Sequence, residues 1–104
     1  MTDMKAAELL KRLAQTPPVI LDVRSAGEYA AGHIPGSTNI PFWAVPWRAG
    51  ELGARLDDPV VVYCGHGPRA HLARAALRAR GFTRIACLAG HWVKWREAGY
   101  PEER

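Results

Sequence analysis

A chain of 104 residues, 48% of them hydrophobic, has the apolar material for one core and not two, so a single domain over residues 1–104 is expected. Fourteen Lys and Arg against ten Asp and Glu leave a formal charge of +4, but the arginines are scattered from Arg12 to Arg104 without interleaved aromatics. That pattern argues against a nucleic-acid partner and leaves a mild field that draws small anions. No apolar run approaches the ~20 residues of a membrane span. Met1-Thr2-Asp3-Met4-Lys5 lacks the basic-then-apolar order of a signal peptide, and two cysteines in such a chain point to free thiols in a cytoplasmic protein.

From the N-terminus onward, strands and helices alternate. Ala6, Leu9, Leu10, Leu13 and Ala14 recur at helical spacing behind a Thr2 or Asp3 cap, and Pro17-Pro18 ends that helix. Val19 to Val23 is a short unbroken apolar run, the mark of a strand covered on both faces. Ser25 and Glu28 have capping-box spacing for a short helix, and Arg24 stands four residues before Glu28, within ion-pair reach. Ser37 to Ile40 reads as a brief strand, followed between Phe42 and Leu56 by a helix that Pro46, Gly50 and Gly53 make irregular. Val60 to Tyr63 is the third apolar strand. The Ala/Leu/Arg stretch after it predicts a helix over Ala70 to Arg80, with Leu72, Ala73, Ala76 and Leu77 inward, His71, Arg74 and Arg78 outward, and Gly81 closing it. Ile85 to Leu88 forms a strand, Gly90 a turn, and Trp92 to Ala98 the last helix, stopped by Gly99 and Pro101. This alternation predicts an α/β fold whose parallel sheet carries helices on both faces, with ligands beyond the C-terminal strand ends.

Cys64 stands at one of those ends. The segment Cys64-Gly65-His66-Gly67-Pro68-Arg69 joins a buried strand to a helix start, where unpaired amides and the positive end of the helix dipole hold an anion. A thiolate there is the attacking form of cysteine. Gly65 and Gly67 allow a tight turn around the sulfur, Pro68 suits the first helical position, and Arg69 adds a forked cation at the rim. The candidate nucleophile is Cys64, and the anion-binding set is Gly65, His66, Gly67, Pro68, Arg69 and Ala70. Cys87, inside Ile85-Ala86-Cys87-Leu88 with no basic neighbour, reads as core packing. His33 reads as a turn-fixing hydrogen bonder. Trp43, Trp47, Trp92 and Trp95 read as core or groove walls.

This loop resembles that of the rhodanese family, sulfurtransferases that carry sulfur as a cysteine persulfide. Leu21-Asp22-Val23-Arg24, Glu28-Tyr29, Gly32-His33-Ile34-Pro35-Gly36-Ser37 and Asn39-Ile40-Pro41 are similar to the family's upstream signature. Gly81-Phe82, Leu88-Ala89-Gly90 and Trp95 to Pro101 are similar to its closing strand, turn and helix. The resemblance implies a rhodanese-like sheet of four to five strands. Its first strand should precede the first helix, yet the helix pattern here begins almost at Met1, so four strands are expected and the edge strand is absent or a stub. The resemblance also assigns Asp22 and Arg24 to bracing a turn, and places His91 where a second glycine is usual, which puts a bulky polar ring near the C-terminal strand ends and close to Cys64, able to narrow the entrance or contact an acceptor.

The implied function is transfer of sulfane sulfur from thiosulfate or a related donor, through a Cys64 persulfide, to cyanide, a thiol or a sulfur-carrier protein, with no cofactor. A cysteine phosphatase has five residues between its cysteine and arginine; here four separate Cys64 from Arg69, and Ala70 occupies the phosphatase arginine position. The same residues also permit a protein-to-protein persulfide relay or a non-catalytic interaction module, although Cys64 and Arg69 together argue against the second. The spacings Cys64-x-His66 and Cys87-x-x-x-His91 do not match a structural zinc module, so no metal is expected.

Overall fold

In a computed structural model, which describes residues 3–104, the chain forms a five-stranded parallel sheet. In chain order the elements are β1 (Asp3–Met4), α1 (Ala6–Leu13), β2 (Val19–Asp22), α2 (Ala26–Ala31), β3 (Thr38–Asn39), α3 (Val45–Arg48), β4 (Val60–Tyr63), α4 (Pro68–Ala79), β5 (Ile85–Leu88) and α5 (His91–Glu97). Short 3-10 turns, Phe42–Ala44 and Ala49–Leu52, flank α3, as its proline and glycines require. The strand order β1-β5-β4-β2-β3 puts β4 at the centre, with Val60, Val61 and Val62 opposite Ile85, Ala86 and Cys87 on one side and Val19, Ile20 and Leu21 on the other.

Side chains of β4 alternate between two cores, which is why its sequence is apolar throughout. Val60, Val62 and Cys64 pack with Ala70, Ala73 and Leu77 of α4 and with Ala44, Val45 and Ala49. Val61 and Tyr63 pack on the other face with Leu9 of α1 and Trp92 and Trp95 of α5. Burial of this kind is worth roughly 1.5–3 kcal/mol per large apolar side chain.

The edge strand is present as a stub, which makes the sheet five-stranded: Asp3 and Met4 pair with Cys87 and Leu88, and Ala89 N–H donates to the Met4 carbonyl at 2.8 Å. Two residues suffice because the neighbouring strand supplies the hydrogen bonds, a contact that no local pattern encodes. Several local expectations are corrected. Asp3 is therefore not a helix cap; Lys5 occupies that position without a side-chain bond, and Thr2 lies outside the described residues. Leu72 is exposed, since Ala70, Ala73 and Leu77 form the inward stripe, and Arg74 is half-buried. Trp92 and Trp95 are core residues, whereas Trp43 and Trp47 are exposed and lean on each other at 6.2 Å between centroids. The α4 helix begins at Pro68, the first helical position its ring suits, two residues ahead of the Ala70 to Arg80 pattern, and α5 begins at His91, one residue earlier than expected.

At the end of β2, its last residue Asp22 forms a buried ion pair with Arg24. The Asp22 carboxylate accepts from the Arg24 amide at 2.9 Å and from its guanidinium at 2.7 and 3.1 Å; Arg24 Nη2 also donates to the Gly32 carbonyl at 2.6 Å. The guanidinium lies over the Trp92 ring, 4.7 Å from its centroid. The expected Arg24–Glu28 pair does not form, because this arginine turns inward to Asp22. The Ser25–Glu28 capping box does form, and His33 ties the turn through Nδ1 to the Tyr29 carbonyl at 2.8 Å while stacking on the Tyr29 ring. Removing one partner of a buried ion pair strands the other charge, so Arg24→Ala is expected to lower stability by about 3–5 kcal/mol in urea unfolding. The double variant Asp22→Asn/Arg24→Met should lose less than the sum of its single changes.

Candidate active site

Cys64 is the first residue past β4, held at the C-terminal edge of the sheet by its neighbours on both sides. Val23 N–H donates to the Tyr63 carbonyl at 3.0 Å from the β2 side. From α5, Trp92 N–H reaches the Cys64 carbonyl at 2.9 Å and Val93 N–H the Gly65 carbonyl at 3.4 Å. Helix α5 thus spends first-turn donors, which have no partner inside a helix, on the loop carbonyls.

The loop then closes on the sulfur. Gly67 N–H donates to Cys64 Sγ at 2.9 Å, and Gly67 takes φ of 136°, which a side chain would strain. Pro68 starts α4 immediately afterwards, so Sγ lies against the N-terminal turn of a twelve-residue helix. Cys64, Gly65, Gly67 and Ala70 are buried, His66 and Pro68 are exposed, and Arg69 lies between. This arrangement can hold negative charge on a sulfur with main-chain donors and a helix terminus.

Two charged or polar partners at the loop differ from expectation. Arg69 does not stand free at the rim. Its guanidinium forms a forked pair with Glu28, Nη1 to Oε1 at 2.7 Å and Nη2 to Oε2 at 3.1 Å. The capping box places the Glu28 carboxylate at the start of α2, where the Arg69 guanidinium reaches it in place of the Arg24 partner that local spacing suggested. His91 is close to Cys64 as expected but lines no entrance: it is buried beneath the loop, where its Nδ1 accepts the Cys64 N–H at 3.2 Å. Cys87 is buried in the core, and burial pushes its thiol above the ordinary value.

A sequence model of the rhodanese-like domain matches residues 5–98. A protein of Allochromatium vinosum named sulfurtransferase is 35% identical over 100 residues, covering 95% of this chain and 92% of its own length. The thiosulfate sulfurtransferase GlpE of Pseudomonas putida is 37% identical over 95% of this chain and 84% of its own. Among solved structures, the human single-domain sulfurtransferase TSTD1 superposes with a TM-score of 0.81 at 31% identity, covering 93% of this chain and 96% of the other. The Alr3790 protein of Anabaena superposes with a TM-score of 0.88 at 30% identity, covering 96% and 81%.

The Arg69 pair, with its hydrogen bonds first among the causes, holds the Glu28 carboxyl down from 4.5 to about 2. Its folded value lies below the unfolded one, so its contribution to stability is complete above pH 4.5 and fades as pH falls toward 2. Both side chains are partly in water, which limits the pair to about 1 kcal/mol. Glu28→Gln should therefore be less stable than the native protein at pH 7, with the difference in urea midpoints closing between pH 4.5 and about 2.

Proposed function

The chain belongs to the rhodanese-like family of sulfur-transfer domains, and on that premise we propose that it takes a sulfane sulfur from thiosulfate or a related small anionic donor and carries it on Cys64 as a persulfide. The observation that carries this reading is the Gly67 N–H on Cys64 Sγ at 2.9 Å, beside the start of α4. Cys64 thiolate attacks the outer sulfur of thiosulfate; the S–S bond breaks, sulfite leaves with the bonding pair, and Cys64 keeps the transferred sulfur. The resulting anion is stabilised by the same loop amides, those of Gly65, His66, Gly67, Arg69 and Ala70. A thiophilic acceptor such as cyanide, a thiol or a carrier protein then takes the sulfur and restores the thiolate.

Arg69 reads the donor's sulfonate in this scheme only by exchanging Glu28 for it. Both are forked oxyanion partners of one guanidinium, so the exchange keeps the pairing and changes the counter-ion. An acceptor larger than cyanide is supported by the exposed Trp43, Trp47 and Leu72, which lie on α4 and on the turn and helix that pack against it. A phosphatase reading finds less support, because the loop holds four residues between Cys64 and Arg69, and Ala70, in the usual arginine position, is buried.

Intact mass after thiosulfate treatment should show one added sulfur atom that a thiol reductant removes. Cys64→Ser should lose both the label and transfer to cyanide; Cys87→Ser, which removes a buried thiol with no amide cradle, should keep both. A native protein that hydrolyses aryl phosphates through Cys64 and gains no mass from thiosulfate would establish the phosphatase instead. Arg69→Ala should slow loading from thiosulfate by about tenfold to a hundredfold, the value of a lost charge-assisted hydrogen bond. Glu28→Gln, which frees the guanidinium, should lower the thiosulfate concentration needed for half-maximal loading.

A further inference from the structure

His91 carries a set of contacts that the proposed chemistry does not by itself require. Its ring reaches both ends of the four-residue turn around the sulfur. Nδ1 accepts the Cys64 N–H at 3.2 Å, and Nε2 lies 3.3 Å from where a side-chain carbon on Gly67 would stand. The residue adopts φ of 51°, the one non-glycine residue with positive φ among the described residues, and is buried. Positive φ in a residue other than glycine costs energy that its surroundings must offset, even for histidine, which tolerates it better than most. The next two residues, Trp92 and Val93, donate to the Cys64 and Gly65 carbonyls. One turn of α5 therefore grips the Cys64 peptide on both sides, and the side chain supplies the acceptor that main-chain groups of a helix start cannot.

We propose that His91 is a positioning residue for sulfur transfer: as a neutral imidazole protonated on Nε2, it holds the Cys64 amide and so keeps the turn in the form where Gly67 N–H meets Sγ. This assignment rests on the sulfur-transfer reading above. The tautomer follows from the hydrogen bond, since a nitrogen that accepts an N–H carries no proton of its own. It also follows that Cys64 N–H faces away from the sulfur, leaving the stabilisation of its charge to the amides from Gly65 onward. A protonated ring has donors at both nitrogens, and Nδ1–H would face Cys64 N–H with no acceptor between them.

Burial lowers His91 below the ordinary imidazole value, which keeps the ring neutral at pH 7. Asp3 on β1 favours the charged ring. His71 on α4 presents its ring edge-on at 6.3 Å between centroids, β5 brings Cys87 to 3.9 Å from His71 Nδ1, and Lys94 lies one turn along α5. Because the folded value is depressed, the accepting form is present at neutral pH and is lost as pH falls through that lowered value.

The test compares His91→Gly with His91→Asn, since both tolerate positive φ and only asparagine offers an oxygen near the Nδ1 position. Persulfide formation from thiosulfate is followed by intact mass between pH 5 and 8, and imidazole and amide 15N shifts are read on the native protein without donor. His91→Gly should load about tenfold or more slowly, with the thiosulfate concentration for half-maximal rate within about twofold of native. His91→Asn should recover most of the rate and lose the part of the native acid decline that follows titration of the His91 ring, keeping only the part due to protonation of the Cys64 thiolate. The native His91 Nδ1 should be unprotonated at pH 7, and the Cys64 amide shift should titrate with the ring. Native-rate loading by His91→Gly, an acid decline unchanged in His91→Asn, or a protonated Nδ1 at pH 7 would each overturn the assignment. A native protein that does not load while its Nδ1 and Cys64 shifts titrate together would refute the sulfur-transfer reading and leave the His91–Cys64 bond standing as architecture alone, which also ends its role as a positioning residue.

Discussion

A sulfur atom enclosed at the end of a buried parallel strand must find its hydrogen-bond donors in the main chain, and that requirement shapes the turn that follows β4. Gly67 has to swing its N–H back onto Cys64 Sγ, which needs φ of 136° and a residue without a side chain. Pro68 can then start α4 at once, because the first helical N–H has no partner to lose. The helix dipole and the sulfur are brought together by the shortness of the turn.

The turn is in effect suspended between three neighbours. Strand β2 anchors it through Val23 and Tyr63, α5 through the amides of Trp92 and Val93 and the His91 ring, and α2 through the Glu28–Arg69 pair. Each anchor belongs to a different element of the fold. The Asp22–Arg24 pair links the first two: its carboxylate lies at the end of β2, and its guanidinium lies against the ring of Trp92, the residue after His91. Such a buried pair adds little net stability but is costly to break from one side, which suits a joint that must keep one geometry.

Much of this was legible in the residues themselves. The apolar runs from Val19 and Val60, the capping box at Ser25, the glycine stop at Gly81 and the cysteine in a strand-to-helix turn are local signals, each produced by periodicity or by one residue's backbone preference. The two-residue edge strand, left open by the family resemblance as absent or a stub, had no local signal, since Asp3 and Met4 are strand only because β5 lies beside them. Leu72 shows the same limit from the other side. Its spacing fits the apolar stripe of α4, yet alanines and Leu77 fill the contact with the sheet, and Leu72 is left in solvent.

For the site, contiguous residues were enough to pick out the candidate nucleophile and the kind of anion cradle around it, because a turn between one strand and one helix is built from neighbours along the chain. The partners of that turn came from packing instead. Arg24 and Arg69 each had Glu28 within plausible reach, and the choice fell to burial: Arg24 is drawn inside to Asp22, leaving Glu28 for an arginine 41 positions away. His91 likewise became a hydrogen-bond acceptor beneath Cys64 because α5 folds back across the sheet end, 27 residues further along the chain. Contacts of that range depend on how layers stack, and layer stacking is the part of a fold that no local pattern of residues carries.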